Sequence, residues 1–291
     1  MNKLRNHEQY YPINEVERRH DFLRNTHVEL GEIALAMVQN GLTSKNKADG
    51  TPVTPLDEFL NAKFIERVES EFPGDRVWGE EGSNSEVGDT SDVEHRWLWI
   101  VDPFDGTKKL LDAITAGKLN QCTSSLLAAA FAPGETTPTI SGAYSPLQRK
   151  KLMVSAGPRG TELWTPGHQA RQVIVQQGPM DIDDVNRYEY SSWGAGLRRL
   201  DDMMPLARRV RTQIRMASVA LGDTDLTVFP APGHPHDVLP GAHSVMKAGG
   251  TVITLKGEAY DDVDWRVDPV NGAIATVEPV LARQLVDRLA A

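Results

Sequence analysis

The stretch WLWIVDPFDGTKK, Trp97 to Lys109, sets five apolar residues directly before two aspartates, a proline and a glycine. The apolar run reads as a buried strand and the polar part as a turn. Carboxylates at the end of a buried strand are costly unless something neutralises them. Asp102 and Asp105 are three positions apart, so on a regular strand they face opposite sides. They converge only if the chain turns between them, and Pro103 fixes the backbone there. A turn would aim the Phe104 carbonyl inward. Two carboxylates and a carbonyl make a hard oxygen set, suited to Mg2+ and poor for zinc. Gly106 lets the backbone approach a ligand closely. A helix beginning at Thr107 would offer its free N–H groups to a phosphate. The alternative is an Asp-rich turn capping a helix.

Working outward, other acids fall at the ends of predicted elements. Residues 13–40 carry Val16, Leu23, Leu30, Ile33, Ala34, Met37 and Val38 at near-helical spacing, with Gly41 as a stop. After the polar loop Thr43 to Thr51, Thr54-Pro55 reads as an N-cap with proline in the first helical position, opening a helix to about Phe72. Asp57 sits in its first turn, where a carboxylate also favours the helix dipole. Val77-Trp78 is a short strand ending at Gly79-Glu80-Glu81, and a polar insertion, Ser83 to Glu94, follows. Further strands are expected at Ser124–Phe131, Thr139–Tyr144 and Lys151–Ser155, with turn residues between them. Beyond about residue 165 strands and helices alternate: strands at Gln172–Gln176, Asp225–Phe229 and Thr251–Leu255, and helices at Pro205–Arg215, Val238–Ala248 and Pro279–Ala291. His236-Asp237 directly precedes the second of these helices, where Asp is also a good N-cap. The change suggests an α+β part, residues 1–165, followed by an α/β part, residues 166–291.

Composition bounds the function. The 291 residues are 40% apolar and 24% charged, enough for a real core. A formal net charge of −9 argues against a nucleic-acid polymer or an anionic membrane as the main partner. Cys122 is the only cysteine, so an intramolecular disulfide is impossible, and it reads as a buried small residue. No run approaches the roughly 18 apolar residues of a membrane helix. Met1 to Arg24 lacks the apolar core of a secretory signal, so a cytoplasmic protein is expected.

Taken in order, four segments resemble the inositol-monophosphatase-like, Mg2+-dependent and lithium-sensitive phosphatases. They are KADGTPVTPLD (Lys47 to Asp57), WGEEG (Trp78 to Gly82), WIVDPFDGT (Trp99 to Thr107) and HDVLPG (His236 to Gly241), with AGG (Ala248 to Gly250) after the last. The resemblance implies a layered α-β-α-β-α sandwich and a phosphomonoesterase acting on a small phosphorylated metabolite. It implies that Glu80, Asp102 and the Phe104 carbonyl hold one metal ion. Asp102, Asp105 and Asp237 hold a second, with Asp102 bridging, and two or three Mg2+ ions are expected in all. Two ions about 3.5–4 Å apart can clamp the attacking and leaving oxygens of an in-line displacement. Thr107, bonded to Asp57, is expected to orient and deprotonate the attacking water, with Glu80 also in the catalytic set. The N–H groups of Gly106 and Thr107 are expected to cradle the phosphate. A homodimer is likewise implied.

The substrate side departs from the family. His236 replaces the tryptophan usual before the last metal aspartate. Pro230 stands where inositol phosphatases place a sugar-binding glutamate. Lys108 after DGT resembles the 3′(2′),5′-bisphosphate nucleotidases and some histidinol phosphatases, yet Gly117 to Thr123 lacks the nucleotidase segment. Lys108, His236 and Arg215 are therefore the substrate-side candidates. The pair His234 and His236 reads either as a ligand or proton donor beside Asp237, or as polar lining of a proline-stiffened loop. The run Arg208, Arg209, Arg211 and Arg215 reads either as a solvated helix face or as an arginine for a second anionic group. Trp164, Trp193 and Trp265 read as packing residues or as platforms for a base. A reading from another class is a regulatory protein that binds metal or phosphate without catalysis; the intact Asp57–Thr107 pair argues against it.

Overall fold

In the computed structural model, residues 12–47, 50–81, 95–190, 199–210, 214, 216–267 and 270–290 are described. The elements that place the site begin with two helices, α1 (Ile13–Gln39) and α2 (Pro55–Glu71). A short antiparallel pair, β1 (Lys45–Asn46) and β2 (Pro52–Val53), lies between them in the chain. Seven strands follow: β3 (Arg76–Gly79), β4 (Leu98–Asp105), β5 (Ser125–Phe131), β6 (Ile140–Ser145), β7 (Leu152–Gly157), β8 (Gly160–Trp164) and β9 (Arg171–Val173). They form one sheet in chain order, with β3 parallel to β4 and every later pair antiparallel. The helix α3 (Thr107–Thr115) leaves directly from the end of β4.

The second sheet has the order β11-β10-β12-β14-β13. Its strands are β10 (Arg187–Tyr190), β11 (Arg208–Arg209), β12 (Leu226–Phe229), β13 (Thr251–Ile253) and β14 (Ala273–Thr276). Around it lie α4 (Arg199–Met203), α5 (Ser218–Leu221), α6 (Pro235–Lys247) and α7 (Pro279–Ala290).

Three cores define the layers. Leu23, Leu30, Leu56, Leu60 and Phe64 of α1 and α2 pack on Trp99, Val101 and Ala128 of the large sheet. On the opposite face Ile100 and Ala129 meet Val238, Leu239, Ala242 and Val245 of α6, which also covers Ala273 and Ala275 of the small sheet. Leu281, Ala282 and Leu285 of α7 close the far side against Val228 and Ile274. The order is thus helix, sheet, helix, sheet, helix, as the resemblance implies. Because β5 is covered on both faces, all seven of its residues are buried, which explains the apolar run from Leu126 to Phe131 with its small alanines.

Two differences from the sequence reading bear most on the site and its surroundings. The chain does not turn after Val101: β4 continues through Pro103 to Asp105. Asp102 stands opposite Leu127 and Asp105 opposite Ser125, so β4 carries one extra residue across this interval. That bulge shifts the strand's facing by one residue and does the work expected of the turn. The Pro205–Arg215 helix is absent over its described residues 205–210. Helix α4 ends at Met203, and the amides of Arg208 and Val210 donate to carbonyls of Asn186 and Tyr188, at 2.7 and 2.9 Å, as a strand ladder does. The guanidinium of Arg209 lies over the Tyr190 ring, 3.7 Å from its centroid. Arg211, Arg215, Trp193 and the insertion at 83–94 lie outside the described residues. Trp265 is fully buried and Trp164 packs near Tyr144, so both serve the core. Cys122 is buried.

Candidate active site

Four element ends meet at one place. The first is the start of α2. Thr54 caps the helix, its hydroxyl accepting from the Leu56 amide at 3.2 Å. Asp57 returns the favour: its Oδ2 accepts from the Thr54 amide at 2.8 Å and from the Thr54 hydroxyl at 2.6 Å. This reciprocal arrangement is a capping box with Asp in the third position. The other oxygen, Oδ1, is thereby aimed outward and accepts the Thr107 hydroxyl proton at 2.6 Å.

The second is the end of β3. The Glu80 amide donates to the Val101 carbonyl at 2.9 Å, extending the parallel ladder and fixing Glu80 beside the exit of β4. Gly79 is required by close approach: a Cβ there would lie 2.0 Å from Asn61 Oδ1. Asn61 in turn donates to the Glu81 carbonyl. Lys47 bridges the two glutamates, 2.9 Å from Glu80 and in contact with Glu81.

The third is the bulge of β4. Asp102 is 2% exposed, and its Oδ1 accepts the Phe104 amide at 2.8 Å. The Phe104 side chain points into the core of the first layer. Gly106, with φ of +89°, makes the left-handed step that starts α3. Its carbonyl accepts from the Ser124 hydroxyl at 2.9 Å. The fourth is the first turn of α6, which carries His236 and Asp237 after the N-cap His234 and Pro235.

These ends create two groups that share Asp102. One oxygen each from Asp102, Asp105 and Asp237 lie within 4.8 Å of one another. So do one oxygen each of Glu80 and Asp102 and a ring nitrogen of His236. Asp102 bears the cost of this crowding. Burial pushes its carboxyl well above the usual value, and the charges of Glu80, Asp105 and Asp237 push it further. Burial also works against the Glu80 carboxylate, but the positive charges of His236 and Lys47 hold it below the ordinary glutamate value. Burial opposes the Lys47 ammonium, yet its bonds to Glu81 and Glu80 leave its pKa raised. A divalent cation in either group would relieve this repulsion, and the donor sets fit one: carboxylate oxygens, with an imidazole in the second.

The site residues read from the sequence therefore fall as follows. Asp57, Glu80, Asp102, Asp105, Thr107, His236 and Asp237 are brought together, with Phe104 and Gly106 in the connecting backbone. Lys108 is not: it pairs with Asp112 at 2.9 Å on the exposed face of α3. Its neighbour Lys109 stands nearer, 3.9 Å from Asp105. Arg215 lies outside the described residues. Sequence reasoning missed Lys47, Asn61 and Lys109. Only their place beside the acid motifs could have flagged them, since their partners lie elsewhere in the chain or on the next helical turn.

Comparison with known proteins agrees with this geometry. The pattern of the inositol monophosphatase family matches residues 16–290. The chain belongs to that family. Its members are phosphoric monoester hydrolases that act on small phosphorylated substrates. Among relatives, inositol-1-monophosphatase of Bacillus subtilis is 25% identical over 242 residues, covering 80% of this chain and 83% of the relative. The 3′(2′),5′-bisphosphate nucleotidase CysQ of Aggregatibacter actinomycetemcomitans is 30% identical over 84 residues, 29% of this chain and 30% of the relative. A solved IMPase/NADP phosphatase complexed with Mg2+ and phosphate superposes with a TM-score of 0.71 at 18% identity, covering 94% and 95% of the two chains. That likeness establishes the fold.

Proposed function

We propose that this family member is a Mg2+-dependent phosphatase of a small sugar, cyclitol or nucleotide phosphate. The observation that carries the reading is the Thr107–Asp57 hydrogen bond, 2.6 Å long, beside the carboxylate shared by two acid groups. A protein that merely held metal would need no group to activate water.

Glu80, Asp102 and the Phe104 carbonyl would hold one ion, and Asp102, Asp105 and Asp237 a second. Bound there, Mg2+ would neutralise the carboxylates, orient the phosphate and lower the pKa of the attacking water. The protein's own groups do the rest. The Thr107 proton is committed to Asp57, so the Thr107 oxygen presents lone pairs that accept from the attacking water. The pair then takes up that water's proton. The amides of the N-cap Gly106 and of Thr107, the first residue of the nine-residue α3, suit the phosphate oxygens. Lys109 adds a cation beside Asp105. His236 is close enough to the acids to act there as well.

The solved relative with Mg2+ and phosphate supports the choice of ion. The nucleotidase relative and the DGTK sequence support a nucleotide phosphate, whereas Pro230 removes the glutamate expected for inositol phosphate. A homodimer, cytoplasmic residence and lithium inhibition belong to the same reading. No helix among the described residues is long and apolar enough to cross a membrane.

The test is phosphate release with and without Mg2+ from inositol 1-phosphate, fructose 1,6-bisphosphate, histidinol phosphate, 3′-phosphoadenosine 5′-phosphate and AMP. Mg2+-dependent turnover of one compound far above the others supports the reading and names the substrate class. No turnover of any, with Mg2+ still stabilising the fold, favours the non-catalytic alternative.

A further inference from the structure

We infer that His236 is a metal ligand, and that with Glu80 and Asp102 it forms a mixed nitrogen–oxygen site selective for a first-row transition ion such as Mn2+ over Mg2+. The inference rests on the metal-dependent reading above and refines it for one of the two groups.

The geometry divides cleanly. His236 and Asp237 are consecutive in the first turn of α6, so their side chains leave the helix about 100° apart. Asp237 reaches the group of Asp102 and Asp105, while His236 reaches the group of Asp102 and Glu80. One helix turn thus delivers one donor to each group, and Asp102 is common to both. The His236 ring nitrogen and one oxygen each of Glu80 and Asp102 lie within 4.8 Å of one another, close enough to share one ion. The imidazole is 6% exposed, and its ring stacks parallel on that of His234, with centroids 5.2 Å apart and planes within 3°. That stacking holds the ring plane, as supporting contacts do for ligating histidines.

The donor types then separate the two groups chemically. Asp102, Asp105 and Asp237 offer oxygen alone, which suits Mg2+. Adding an imidazole nitrogen moves preference toward softer first-row ions, whose affinity for nitrogen exceeds that of Mg2+.

The experiment uses the full chain, stripped of metal and loaded with one equivalent of Mn2+. Pulsed electron paramagnetic resonance reads nitrogen bound directly to the ion. The wild type should show strong 14N modulation, which changes to the 15N pattern on uniform 15N labelling. His236→Gln should abolish it and weaken Mn2+ binding about tenfold or more, leaving Mg2+ affinity nearly unchanged. His234→Gln should keep the modulation. Bound Mn2+ without nitrogen modulation in the wild type overturns the role of His236 and leaves the phosphatase reading standing. Modulation that survives His236→Gln also overturns it. Failure to bind Mn2+ or Mg2+ at all overturns both. The labelled wild type decides the presence of nitrogen even if a variant fails to fold.

Discussion

Thr107 and Asp57 lie 50 residues apart in the chain and are joined by a 2.6 Å hydrogen bond in which the threonine donates. The bond ties the start of α3 to the start of α2. Both oxygens of Asp57 are in use, one as part of the helix cap and one toward the site. Asp57 therefore serves the helix start and the site at once. Thr107→Ala should lower kcat by about 10²–10⁴, with metal binding kept, and Thr107→Ser should restore much of it. Asp57→Asn should lose the same activity and also cost about 1 kcal/mol of stability from the weakened cap. Steady-state kinetics with urea melts separates the two effects.

Gly79 and Asn61 set the approach of α2 to β3. In Gly79→Ala the new Cβ would meet Asn61 Oδ1 at 2.0 Å. The asparagine must move, and its bond to the Glu81 carbonyl goes with it. The expected outcome is weaker metal binding through a displaced Glu80, with modest loss of stability. Calorimetric Mg2+ titration of the variant checks it; unchanged affinity would mean that Gly79 does not position the glutamate.

Asp102 is the residue that most needs a cation. Mg2+ should raise the melting temperature of the wild type, with about 2.7 kcal/mol gained at a concentration one hundred times Kd. Asp102→Asn removes the buried charge, so the metal-free variant should melt no lower than the metal-free wild type. It should gain almost nothing from Mg2+. A full Mg2+ response in Asp102→Asn would move the ion elsewhere.

Three buried histidines make the fold acid-sensitive. Burial, with Arg24 and Arg159 nearby, lowers His20 to about 4. Burial alone lowers His27 to about 3, and neither ring nitrogen of His27 finds a hydrogen-bond partner among the described residues. His243 is likewise pushed well below its usual value by burial and by Lys247. The unfolded chain takes up these protons below about 6.5 while the folded chain does not. Stability is therefore full above pH 6.5 and falls as pH drops toward the folded values. At pH 5 the loss is about 2 kcal/mol for His20 and the same for His27. Urea melts at pH 8 and pH 5 should show it. His27→Leu, which keeps an apolar side chain against Phe64, should flatten the pH dependence by about that amount; an unchanged slope would contradict the assignment.

Much of this was legible in the sequence because the signals were local. Thr54-Pro55 announced α2, and the run into Asp102 announced β4. The bulge was not legible, since alternation along a strand gives no sign of where an extra residue will be absorbed. Strands β8, β10 and β14 were missed for a related reason. Arg187–Tyr190 is short and half charged, and Ala273–Thr276 contains alanine, a weak strand former, yet both are held by neighbours in the small sheet. At the site, Lys47 meets Glu80 across 33 residues, a relation no local pattern encodes. His236 showed its unusual identity in sequence, but only the fold placed it beside Asp102 and Glu80.

The central claim is that the acids gathered on Asp102 are where phosphate ester hydrolysis occurs. The most direct test compares Mg2+-dependent phosphate release by the wild type and by Asp105→Asn, on the preferred compound of the panel and at equal folded concentration. The account expects turnover in the wild type and none above background in the variant, with the fold intact by circular dichroism. Turnover retained by Asp105→Asn would contradict it.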